Sequence, residues 1–134
     1  MKSILYPLAI LGLTALPAAA QDARPDTTGW FANPGKLTQA DGETVYRAIC
    51  AACHMPEGQG AVGAGHYPAL ADNEMLSGAD YPVHVVTHGQ KGMPAIGEML
   101  DDEQIAAVVN YIRTHFGNDY PEDPATAETV AAAR

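Results

Sequence analysis

Two cysteines and a histidine stand together as Cys50-Ala51-Ala52-Cys53-His54, and the chain has no other cysteine. Two thiols at this spacing, with an imidazole beside the second, form the C-x-x-C-H attachment pattern of a c-type haem. On a helix, residues three and four apart share one face. Both sulfurs can then bond one porphyrin while the imidazole of His54 reaches its iron. Other chemistries use these residues less completely. A redox dithiol needs the cysteine pair but not the histidine. A zinc site needs four ligands, and no second cysteine pair is present. A disulfide between Cys50 and Cys53 would close a very short loop and constrain little.

The elements that must position this motif are helical by pattern. Thr38 and Asp41 make a capping-box-like start, and Val45, Tyr46, Ile49 and Cys53 recur at helical spacing. The stretch from Met55 to Gly65 holds Gly58, Gly60, Gly63 and Gly65 and is expected to be loop. A short helix is expected over 73–77. A third helix starts with Asp80 as cap and Pro82 near its first position, and stops at Gly89. The last helix has Asp101 as cap, Gln104 at its third position and an apolar stripe of Ile105, Val108, Val109 and Ile112. Gly117-Asn118 closes it. The tail from Asp119 to Arg134 is polar, then Ala-rich, with room for one marginal helical segment. No repeat and no alternating strand pattern appears, so the expected fold class is all-α: a bundle of three to five helices around one covalently attached haem.

The chain's 134 residues suit one ordinary domain. Seven Lys plus Arg against sixteen Asp plus Glu give a net charge of −9. This argues against binding nucleic acid, which needs cations to neutralise phosphates, and against attraction to an anionic membrane. At 47% apolar and 17% charged residues, the chain is not a disordered acidic segment. The N-terminus has the layout of a secretory signal: Lys2, then an uncharged apolar stretch from Ile4 to Leu16, then Ala18-Ala19-Ala20. Cleavage after Ala20 would remove that lysine and leave 114 residues with a net charge of −10. The alternative is a retained anchor, but Pro7 and Pro17 interrupt the stretch and no basic cluster follows. Residues 21–37 read as an extended arm with Trp30-Phe31 inside it, 38–118 as the domain and 119–134 as the tail. Export in a bacterium means a periplasmic protein without stable membrane insertion.

From Thr38 to Asn118 the sequence resembles a small single-haem cytochrome c of the class I type. Gly42 and Tyr46 match the small residue and the aromatic that pack the family's first helix on its last, here near Val109, Tyr111 and Ile112. Tyr67-Pro68-Ala69-Leu70 is similar to the segment that follows the haem motif. It implies that Pro68 offers its carbonyl to the free ring nitrogen of His54, with Tyr67 and Leu70 packing on the haem. Gly92-Met93-Pro94 is similar to the distal segment and makes Met93 the sixth iron ligand; Met99 is the alternative. A thioether donor suits a redox iron, and His/Met ligation raises its potential. Met55 and Met75 read as filler or loop. His66, His84, His88 and His115 read as surface or haem-edge residues, although the spacing of His84 and His88 also suits metals.

The resemblance implies an electron carrier and not an enzyme, with haem c as cofactor. Its partners would be a periplasmic flavin- or quinone-dependent dehydrogenase, another cytochrome or a terminal oxidase. It would act as a free carrier or as the cytochrome subunit of such a dehydrogenase. No nucleophile–base pair or phosphate loop competes. A haem enzyme or gas sensor with an open sixth position is the alternative class.

Overall fold

The computed structural model describes residues 37–63 and 65–134. The signal segment and the arm with Trp30-Phe31 lie outside them, Leu37 excepted. The elements run α1 (Gly42–Val45), a π-helical stretch (Tyr46–Cys50), α2 (Ala51–His54), β1 (Ala61–Val62), β2 (His66–Tyr67), a 3-10 turn (Glu74–Leu76), α3 (Asp80–His88), α4 (Asp102–Thr114) and α5 (Ala127–Ala132).

The fold is mostly helical, but all-α needs correcting, because β1 and β2 pair antiparallel with Ala61 opposite Tyr67 and Val62 opposite His66. Two-residue strands are too short to print an alternating pattern, and these bury neither face: Val62 is 84% exposed. The first helix begins later than expected. Its cap is Asp41, whose carboxylate accepts from the Thr44 N–H at 2.9 Å. That bond holds the Asp41 carboxyl below its ordinary range. In α3 the cap is Ala79 and Asp80 is the first helical residue.

α4 forms as the sequence requires. Asp101 accepts from the Gln104 N–H at 2.8 Å, and the Gln104 side chain accepts from the Asp101 N–H at 3.0 Å. Ile105, Val108, Val109 and Ile112 are all buried beside Val45, Tyr46, Leu76, Val83 and Val86. The Gln104 amide also donates to the Leu37 and Gln39 carbonyls at 2.9 and 2.6 Å, which ties the entering chain to α4.

Gly42 lets α1 lie almost on the α4 backbone. A Cβ there would collide with the Ala107 carbonyl oxygen and reach Tyr111 Cβ at 2.7 Å. The contact with Ala107 was hidden in the sequence because alanine carries no pattern of its own. Close approach offsets the roughly 1 kcal/mol that glycine costs inside a helix.

The tail is part of this packing. Asn110 exchanges two hydrogen bonds with the Ala125 backbone, at 2.8 and 2.9 Å. Thr126 and Thr129 form a reciprocal cap, and Val130 is fully buried, which stabilises the docked tail by about 2 kcal/mol. The Arg134 guanidinium reaches Asp102 and the Gly97 and Leu100 carbonyls. Arg113, 1% exposed, holds the carbonyls of Leu76, Ser77, Glu122 and Asp123 at 2.8–3.2 Å. One side chain thus joins α4, the 3-10 turn and the tail.

Candidate functional site

The cysteine motif ends the first helical run. Cys50 and Ala51 are right-handed and helical, and α2 carries Cys53 and His54 on. The π-helical stretch just before it adds one residue to a turn, and the Ala51 N–H bonds the Tyr46 carbonyl. Such stretches gather at functional sites, and no residue pattern announced this one. Met55 stops the helix with φ at +67°, an unusual value for a side chain of its size. The Tyr46 hydroxyl holds that turn by donating to the Met55 carbonyl at 2.7 Å. The same ring packs on Phe116 and Tyr111, with centroids 4.9 and 5.7 Å away. Burial pushes the Tyr46 hydroxyl up to about 12, so it stays a donor.

His54 is buried, and its Nδ1 lies 2.9 Å from the Pro68 carbonyl. A carbonyl only accepts, so Nδ1 carries the proton and Nε2 keeps its lone pair. That arrangement fixes the tautomer of a ligating histidine. Several bonds support the Pro68 segment. The Gly60 N–H donates to the His54 carbonyl at 3.0 Å, and Leu70 and Ala71 donate to the Gly58 carbonyl at 2.7 and 3.0 Å. Gly60 has φ at +68°, and a Cβ there would collide with the Tyr67 carbonyl and lie 2.7 Å from the Ala69 nitrogen.

Asn118 completes the support. It is 6% exposed, donates to the Leu70 and Ile112 carbonyls at 2.8 Å each, and accepts from the Asn73 N–H at 2.8 Å. The sequence marked Asn118 only as a helix stop; its bonds to Leu70 and Asn73 span more than forty residues, beyond any local pattern. Leu70 is half-buried against the core, while Tyr67 is 43% exposed.

Met93 sits in a turn after α3. Gln90 and Met93 exchange backbone hydrogen bonds at 3.0 and 2.9 Å, and the Ile96 N–H returns to Val86 at 3.0 Å. Met93 is half-buried against the core, whereas Met75 and Met99 are exposed at 58% and 38%. His66, His84, His88 and His115 are exposed.

The residues present fit a covalently held haem. Cys50 and Cys53 are not joined in a disulfide, the imidazole beside them has its tautomer set, and Met93 is a soft donor packed against the core. Burial pushes the Cys50 thiol up to about 12, which disfavours the thiolate nucleophile of a dithiol redox site. Among the described residues, no group of three or more His, Cys, Asp or Glu is placed to hold a metal ion.

Comparison with known proteins points the same way. The family described as cytochrome c oxidase, cbb3-type, subunit III matches residues 38–112. Cytochrome c-552 of Thermus thermophilus is 40% identical over 117 residues, covering 73% of this chain and 77% of its own length. The fructose dehydrogenase cytochrome subunit of Gluconobacter japonicus is 36% identical over 93 residues, 58% of this chain. The cytochrome c subunit of a quinone alcohol dehydrogenase from Gluconacetobacter polyoxogenes is 32% identical over 120 residues, 79% of this chain. This chain spans 19% and 25% of those two dehydrogenase subunits. The fold, the cysteine motif and these matches define a c-type cytochrome domain, the class of haem c proteins that transfer electrons. Within it, the chain belongs to the cbb3-type cytochrome c family.

Proposed function

We propose that the protein is a periplasmic one-electron carrier with a single haem c, working free or as the cytochrome subunit of a dehydrogenase. The observation that carries this reading is the His54 Nδ1 contact with Pro68, made directly beside the two cysteines of the motif. Haem c, when bound, supplies an iron that changes reversibly between Fe(III) and Fe(II).

Cys50 and Cys53 would hold the porphyrin through thioethers. His54 would offer its Nε2 lone pair to the iron while keeping its proton at Nδ1, on the Pro68 carbonyl. Met93 would supply a thioether sulfur as the further iron ligand, a donor set that would keep out dioxygen and peroxide. Leu70 and Tyr67 would pack against the group. Leu76, Val83, Val86 and Ile96, all buried, exclude water, which favours the less charged state of the centre.

The partners are redox proteins: a flavin- or quinone-dependent dehydrogenase, another cytochrome or a terminal oxidase. Dehydrogenase subunits among the similar proteins support the first of these. The net charge of −9 favours docking to a basic surface. Export with cleavage after Ala20 would deliver the chain to the periplasm. No helix among the described residues is long and apolar enough to cross a membrane.

Visible spectroscopy and intact mass test this reading. The expected results are a mature mass exceeding the polypeptide by one haem, and a weak sulfur-to-iron band at the red edge of the oxidised spectrum. A high-spin spectrum with fast CO binding would overturn Met93 ligation and the carrier role. A colourless protein with two titratable thiols would overturn the haem. Reduction by a partner dehydrogenase should slow as salt rises.

A further inference from the structure

Away from the cysteine motif, α3 places two imidazoles side by side. His84 and His88 lie four residues apart on one helical face. Their ring centroids are 4.7 Å apart with the planes inclined at 50°, and both residues are exposed.

A second contact sets the chemistry of the pair. Nε2 of His88 lies within hydrogen-bond distance of the Ala133 carbonyl, just after α5. The carbonyl can only accept, so Nε2 carries the proton and Nδ1 keeps a lone pair. Metal-bound histidines usually make this same contact, with the second ring N–H on a backbone carbonyl or carboxylate. The tail thus presets His88 as a donor through Nδ1, beside a second imidazole.

We propose that His84 and His88 form a surface site for one divalent transition ion, held by Nδ1 of His88 and a ring nitrogen of His84. Two imidazoles suit Cu(II), Zn(II) or Ni(II), and not Mg(II) or Ca(II), which take oxygen donors. Among the described residues no carboxylate, cysteine or third histidine joins the pair to complete a larger cluster. Water fills the remaining positions, and the ion is exchangeable rather than structural. Its charge would sit at the end of the helix that leads through Gly89 into the Gln90–Met93 turn.

The test is calorimetric titration of the oxidised holoprotein with Zn(II), paired with electron paramagnetic resonance of added Cu(II). The expected result is one ion per chain, with coupling of Cu(II) to two imidazole nitrogens. His84→Gln and His88→Gln should each weaken binding about tenfold or more. His66→Gln and His115→Gln should leave it unchanged. All four side chains are exposed, so an unaltered haem spectrum verifies the fold of each variant. No Zn(II) binding at millimolar concentration, unchanged binding in either α3 variant, or equal loss in the His66 or His115 variant would overturn the site.

Discussion

Two loops of this molecule use one backbone device. Gly60 and Gly89 both take left-handed conformations, with φ at +68° and +74°. A Cβ on Gly60 would meet the Tyr67 carbonyl, Pro68 and the Ala69 nitrogen; a Cβ on Gly89 would meet the Met93 carbonyl, Pro94 and the Ala95 nitrogen. Each glycine therefore lets the peptide of an X-Pro-Ala turn press against the chain. The loops differ in what else holds them. The Pro68 loop is tied to Gly58 and, through Asn118, to the end of α4. The Met93 loop has its own two-bond turn, one return to Val86 and the Tyr81 hydroxyl donating to the Gln90 side chain at 2.9 Å; Gln90, Lys91, Gly92, Pro94 and Ala95 are exposed, as residues 65–69 of the other loop also are. The difference teaches that the histidine side is tied across the fold to α4 by the buried Asn118, while the proposed sulfur ligand rides on a segment tied back to α3, the helix it leaves, which should open at lower cost.

The largest expected effect tests the better-tied side. Asn118→Ala removes three hydrogen bonds, one buried and two part-buried, and should cost about 3 kcal/mol in chemical denaturation. A loss under about 1 kcal/mol would mean that Asn118 does not hold the Pro68 loop. Next come the paired glycines. Gly60→Ala should cost about 2 kcal/mol of global stability through left-handed strain and the clash with Tyr67. Gly89→Ala should leave the global transition nearer to wild type and instead weaken the sulfur-to-iron band. Equal global losses in the two variants would break the comparison.

Met93→Ala sharpens it further. It should abolish that band and lower the reduction potential while the cooperative unfolding transition persists. An unchanged spectrum would move the ligand elsewhere, with Met99 the first candidate.

Asp41→Ala removes the α1 cap and should cost about 1 kcal/mol at neutral pH. The folded carboxyl is held below its ordinary range by the Thr44 N–H. Its contribution is therefore present above the ordinary carboxylate range and lost as pH falls through the folded value. The gap between wild type and variant should close in acid, as denaturation at several pH values would read. The smallest effect is expected from Pro68→Ala, which keeps the carbonyl that faces His54. Its cost should stay below about 1 kcal/mol and come from the freer unfolded chain.

Features carried by side-chain type were legible in the sequence. The Asp101/Gln104 capping box and the α4 stripe announce themselves through residues with few other uses. The cysteine motif announced its cofactor in the same way. The short helix expected over 73–77 is a 3-10 turn over Glu74–Leu76, and the close packing at Gly42 came from the family resemblance. Features carried by backbone paths were not legible. The π-helical stretch, the left-handed Met55, the β1–β2 pair and the cradles at Gly60 and Gly89 depend on peptide groups that every residue shares. Arg113 and Asn118 fall between these cases. Their polarity was visible, but their partners are main-chain groups scattered from Leu70 to Asp123, which only the folded chain assembles.

Arg113 has one further consequence. Its partners are all carbonyls of the main chain, drawn from two separate stretches at Leu76-Ser77 and Glu122-Asp123. A guanidinium spreads its N–H donors around one rigid plane, whereas an ammonium gathers three on a single nitrogen. Lysine at this position would therefore keep the charge and lose the fastening: the corner where helix meets tail is gripped by the shape of one side chain.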